Sequence, residues 1–174
     1  MKILIAYGST EGQTRKIVKT VAKQIEDLGH EMAMFDTSGL MGDLHPAAFE
    51  KIIVAGSVHV ERHQETMALF VLSHLEELHS KPSLFISVSL AAAFNDGLVE
   101  AQGYVDGFTK YTGWAPKKAL LVAGAVRHGE YGYYEEYIFE HIVLKDRSLD
   151  DPSKDQEFTD WIALAKDVER FIAN

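Results

Sequence analysis

"MKILIAYGSTEGQTRKIVKTVAKQIEDLGH", residues 1–30, decides the fold. An apolar run from Ile3 to Tyr7 leads into a short loop holding Gly8, Ser9, Thr10, Gly12 and Thr14. Ile17, Val18, Val21, Ile25 and Leu28 then mark one face at helical spacing, and Gly29 stands where a helix would end. The stretch reads as strand, hydroxyl-rich loop, helix. A tight turn needs only one glycine. Two glycines with three hydroxyls at a helix start describe a seat for an anion, because first-turn N–H groups lack intrahelical partners and carry partial positive charge. Hydrogen bonds to a charged group contribute about 1.5–3 kcal/mol each, so several can hold a phosphate dianion without a cationic side chain. Glu11 must then face outward.

Rival readings fail on the same residues. Gly12 is followed by Gln13, not by the Lys-Ser/Thr of a Walker loop, and no G-x-G-x-x-G is present. A phospho-receiver site needs acidic residues after the first strand, where Tyr7 and Gly8 stand. A hydroxyl-rich helix cap without a ligand stays open.

Outward from the loop, apolar runs at 2–7, 31–36, 51–56, 83–90 and 119–126 read as strands, most of them near-continuous, as in a sheet buried on both faces. Helical patterns fall at 13–28, 65–78, 98–113 and 157–172, with His74 on an apolar helical face. The alternation predicts an α/β fold: a doubly wound parallel sheet of five strands in the order 2-1-3-4-5, with ligands at the carboxyl ends of strands 1 and 3. Residues 1–174 read as one domain, with an extra helical insertion after strand 5 at 127–156.

The chain has no cysteine, so redox chemistry requires a bound cofactor. Its 26 acidic and 17 basic residues give a net charge of −9, which argues against nucleic acid as a partner. Lys16, Lys19, Lys117 and Lys118 read as solvated lysines. No apolar run reaches the length of a membrane span, and a cytoplasmic location is the default. "HVERH" (59–63) matches neither H-E-x-x-H nor H-x-x-E-H, so no metal site is expected.

"YGSTEGQT" resembles the phosphate loop of the flavodoxins, and the likeness runs from Ile3 to Phe171. Within flavodoxin-like proteins, "KIIVAGSVHVERH", "PSLFISVSLAA", "GAVRHGEYGYY" and "FTDW" resemble the menaquinone-dependent protoporphyrinogen oxidases. The resemblance implies FMN as cofactor, with Ser9, Thr10, Glu11, Gly12, Gln13 and Thr14 around its phosphate. Ser57, Val58, His59, Val60 and His63 would run beside the ring, and Ser87, Val88, Ser89, Leu90, Ala91 and Phe94 along its other edge. It implies a porphyrinogen as small-molecule substrate and a quinone as acceptor, with His59, Arg127 and Tyr131 as candidate substrate contacts. Many flavodoxins sandwich the ring between two aromatic residues; here these loops offer only His59, His63 and Phe94, so either the ring is held less tightly or one face is left open for a substrate.

Tyr133, Tyr134, Tyr137, Ile138, His141, Ile142 and Leu144 give the insertion one helix-length apolar face. Nine acidic and four basic residues from Arg127 to Glu157 make it a poor adsorber to anionic lipid, so membrane contact would be peripheral at most. An acidic electron carrier docking on protein redox partners is the alternative reading.

Overall fold

The computed structural model describes residues 1–10, 12–39, 44–126, 145 and 155–174. Five long strands form a parallel sheet: β1 (Lys2–Gly8), β2 (Glu31–Asp36), β3 (Lys51–His59), β5 (Ser83–Ser89) and β6 (Lys118–Ala123). Their order is β2-β1-β3-β5-β6, the expected winding once a short extra strand, β4 (Arg62–His63), is counted. β4 turns back antiparallel onto β3, pairing Val58 with His63 and His59 with Arg62. Two more short strands, β7 (Ala125–Val126) and β8 (Gln156–Glu157), pair antiparallel with each other.

Helices α1 (Gln13–Asp27) and α5 (Trp161–Ala173) cover one face of the sheet; α2 (Glu65–Ser73), α3 (Leu75–Ser80) and α4 (Leu98–Thr112) cover the other. Alternation along β1 divides the core. Ile3, Ile5 and Tyr7 meet Ile17, Val21 and Val168, whereas Leu4 and Ala6 meet Met67, Phe70 and Phe108. β5 is buried at every position, which explains its unbroken apolar run.

Two expected helix boundaries change. The pattern read over 65–78 is split at His74, whose backbone (φ −130°, ψ 28°) ends α2 and starts α3; its half-buried ring lies 4.9 Å from that of Phe70. The last helix begins at Trp161 rather than 157. Asp160 caps it by accepting from the N–H groups of Ile162 and Ala163, and Gln156–Glu157 belong to β8. Gly29 ends α1 as expected: at φ +79° its N–H donates to Glu26 while that of His30 donates to Ile25, the paired bonds of a left-handed helix stop. Buried Lys51 donates to the carbonyls of Phe171 and Ile172, both at 2.8 Å, and so closes the C-terminus of α5 against β3.

The loop after β5 is tightly folded. A Cβ on Gly97 would lie 2.2 Å from the Ala91 carbonyl oxygen, which is backbone and cannot swing aside. Gly97→Ala should therefore cost about 1–3 kcal/mol, measured as a lowered urea midpoint.

Candidate functional site

The carboxyl ends of β1 and β3 meet at the point where the winding reverses, and the hydroxyl-rich loop begins there. Gly12, at φ +87°, sits at the start of α1 in the left-handed conformation that glycine adopts without strain. Ser9 stabilises the turn: its Oγ accepts from Gly12 N at 3.1 Å and from Arg15 N at 3.4 Å, so this hydroxyl acts as a cap. Thr14 does something different. Its side chain is fully buried, yet Oγ1 has no hydrogen-bond partner. An unsatisfied buried hydroxyl costs about 1–3 kcal/mol, and a ligand oxygen would relieve that cost.

Ser9, Gln13, Thr14, Ser57, Val58 and Val88 line one cleft, closed by Gly124 and Ala125. The fold thus brings together residues from four separate sequence stretches. Val60 and Glu61 close the β3–β4 hairpin with φ of 48° and 61°. Two consecutive non-glycine residues in the left-handed region, one of them β-branched, store strain of the kind that collects at ligand loops. Val60 is 55% exposed at the tip, and His59 beside it is half-buried.

The other described candidates are not among the residues that line this cleft. His63 is buried on the α4 side of the hairpin, its ring 5.0 Å from both Phe85 and Phe108, and its Nε2 shares a 2.9 Å hydrogen bond with Ser87 Oγ. It also lines a groove of about 360 Å³ with Tyr104, Phe108 and Tyr111, between β4 and α4. Ser89 Oγ accepts from Ala92 N at 3.2 Å, holding the loop after β5. Leu90 and Ala91 are buried, and the Phe94 ring stands 5.7 Å from that of Phe158. Glu11, Arg127, Tyr131 and the apolar face read over 133–144 lie outside the described residues. Among the described residues no group of three or more His, Cys, Asp or Glu could hold a metal ion. None of the helices there is long and apolar enough to cross a membrane.

Three features were missed in the sequence. Gln13 Nε2 donates to Thr159 Oγ1 at 2.9 Å and to Glu157 Oε2 at 3.1 Å. Lys16 is no simple solvated lysine: it pairs with Glu157 at 2.5 Å and lies 5.3 Å over the Trp161 ring. Burial pushes the Glu157 carboxyl up, but the bonds from Lys16, Trp161 and Gln13 together outweigh it and hold the group below its ordinary value. The third is Gln64, which donates to Thr10 Oγ1 and Ser57 Oγ. The available signal was the glycine at the end of each of the two central strands.

A flavodoxin domain model matches residues 4–153. The chain belongs to the flavodoxin domain family. Among curated proteins it is similar to the protoporphyrinogen IX dehydrogenase [quinone] of Escherichia coli (strain K12), with 26% identity over 168 residues, 95% of this chain and 91% of that protein. A Leishmania major protein of the same name is 26% identical over 175 residues, covering 99% of this chain and 75% of its own length. Among solved structures, oxidised Flavodoxin 1 from Bacillus cereus superposes with a TM-score of 0.53 at 12% identity, over 100% of this chain and 99% of that one, a likeness of fold.

Burial pushes the His63 imidazole down to about 3, so it is neutral at physiological pH. The unfolded chain takes up a proton near the ordinary value of 6.5, so stability contributed by neutral His63 is complete above that pH and declines from there towards pH 3. His63→Leu should flatten the dependence of urea stability on pH between about 6.5 and 4 by close to one bound proton.

Proposed function

We propose that this flavodoxin-family chain, one domain with an insertion at 127–156, binds FMN and oxidises protoporphyrinogen IX, passing electrons to a quinone. The observation that carries the cofactor reading is the buried, unpartnered Thr14 hydroxyl beside the left-handed Gly12 turn. Ser9, Thr10, Glu11, Gly12, Gln13 and Thr14 would surround the phosphate; Ser57 to Val60 and Ser87 to Ala91, with Phe94, would border the ring, and His59, Arg127 and Tyr131 would meet the substrate. When bound, FMN supplies the two-electron chemistry that a chain without cysteine lacks. The protein's share is to hold and orient: hydroxyls and a helix N-terminus fix the anion, and the strained hairpin fixes one wall.

The names of the Escherichia coli and Leishmania major relatives, at 26% identity over most of the chain, support the porphyrinogen and the quinone. Contact with a membrane, if a quinone is taken from one, would be peripheral. The net charge of −9 favours a second reading, an electron carrier steered to basic protein partners. Anaerobic turnover of protoporphyrinogen with a menaquinone analogue separates the two. Quinol formation coupled to porphyrin appearance supports the enzyme; reduction of a protein acceptor without it supports the carrier.

Thr14→Val offers a crossed check. FMN affinity should fall about ten- to hundredfold by fluorescence titration, while the flavin-free protein should be as stable as the parent or more so, because an apolar isostere removes an unsatisfied polar atom.

A further inference from the structure

Gln64 stands where the phosphate loop and the β3–β4 hairpin approach each other. It occupies the position just before α2, yet its side chain makes no cap bond to that helix. The side chain reaches back across the sheet edge instead. Its Nε2 donates to Thr10 Oγ1 at 3.1 Å and to Ser57 Oγ. The room for this comes from Gly8 and Gly56, the last register partners between β1 and β3. A Cβ on Gly8 would stand 3.1 Å from Gln64 Oε1, and one on Gly56 would stand 3.3 Å from it.

The direction of these bonds matters. A hydroxyl has one proton to donate and lone pairs to accept with. Because the amide donates to both oxygens, Thr10 and Ser57 each have an acceptor site filled and keep the proton for another partner. Ser9 is in the same condition, since its oxygen accepts from backbone N–H groups. Such hydroxyls suit a partner that only accepts, and a phosphate dianion is that partner.

We propose that Gln64 is the positioning residue that, held against Ser57 of β3, leaves the Thr10 hydroxyl proton free for the phosphate and so favours a phosphorylated flavin over riboflavin. The inference rests on the FMN reading and goes beyond it by naming what sets the preference for the anion. Without the amide, the two hydroxyls can turn their protons towards protein acceptors, and the cleft loses preorganisation for a negative guest.

Two substitutions on the full-length chain test this. Gln64→Met keeps the length of the side chain but cannot donate. Gln64→Glu places an acceptor where the donor stood and draws both hydroxyl protons to itself. Dissociation constants for FMN and for riboflavin are measured side by side, and melting of the flavin-free variants checks folding. Gln64→Met should weaken FMN about tenfold and change riboflavin less than about twofold. Gln64→Glu should weaken FMN about a hundredfold at pH 8, where the carboxylate and the phosphate are both fully charged. Equal losses for both flavins in Gln64→Met would mean a merely structural role and would overturn the proposal, as would unchanged FMN affinity. Failure of the unsubstituted chain to bind any flavin would sink the FMN reading itself, and this inference with it.

Discussion

Where the pairing of β1 with β3 ends, neither strand carries a side chain. Gly8 of β1 pairs with Gly56 of β3, and a Cβ on Gly56 would lie 1.6 Å from Met67 Cε. Met67 is fully buried and can occupy this part of the core only because Gly56 is bare. The same bareness lets Gln64 cross the edge and hold two loops that leave it in different directions. One loop enters α1 through Gly12; the other turns back through the strained Val60–Glu61 pair. A side chain at either glycine would force a choice between a close-packed core and a joined pair of loops.

Charge around the first turn of α1 is arranged so that the nearby cations are already engaged. Arg15 pairs with Asp36 at 3.1 Å, and Lys16 pairs with Glu157 at 2.5 Å. Burial pushes the Asp36 carboxyl up, but the bonds from Ser38 and Arg15 overcome this and keep it below its ordinary value. Both pairs are partly exposed and add little to stability. Their effect is local: with both cations engaged, the phosphate of the FMN proposal would be met by hydroxyls and by the helix N-terminus, groups whose geometry is fixed by the backbone. Such donors discriminate by position, whereas a flexible lysine would attract any anion of the right sign.

What could be read in the sequence follows from which forces leave a periodic trace. The long strands and their order were legible because burial on both faces writes continuous apolar runs, and the loop was legible because glycine and hydroxyls cluster there. Strands β4, β7 and β8, of two residues each, are too short to show any period. The break at His74 was hidden because Phe70, Val71 and Leu78 stay on a helical spacing across it. His63 was read as part of the ring loop; a two-residue hairpin turn sends it to the opposite face, against Phe85 and Phe108. Gln64 gave no local signal. Its role follows from long-range geometry, namely two glycines about fifty residues apart brought side by side.

The fold also joins two short strands that are distant in sequence: Ala125 pairs with Glu157 and Val126 with Gln156, antiparallel, so β7 and β8 form one ribbon. Glu157, in that ribbon, accepts from Lys16, Gln13 and Trp161, and Thr159 Oγ1 donates to the Ala123 carbonyl at 2.7 Å while accepting from Gln13. Between β7 and β8 in sequence, Lys145 pairs with Glu100 at the start of α4, and Glu100 also accepts from Tyr104, which borders the groove beside His63. β8 is therefore tied to the first turn of α1 through Glu157, and Lys145 is tied to α4 through Glu100. The side chains that hold β8 are the ones packed against the helix start to which the FMN proposal assigns the phosphate, so the placement of β8 and the shape of that helix start depend on the same bonds.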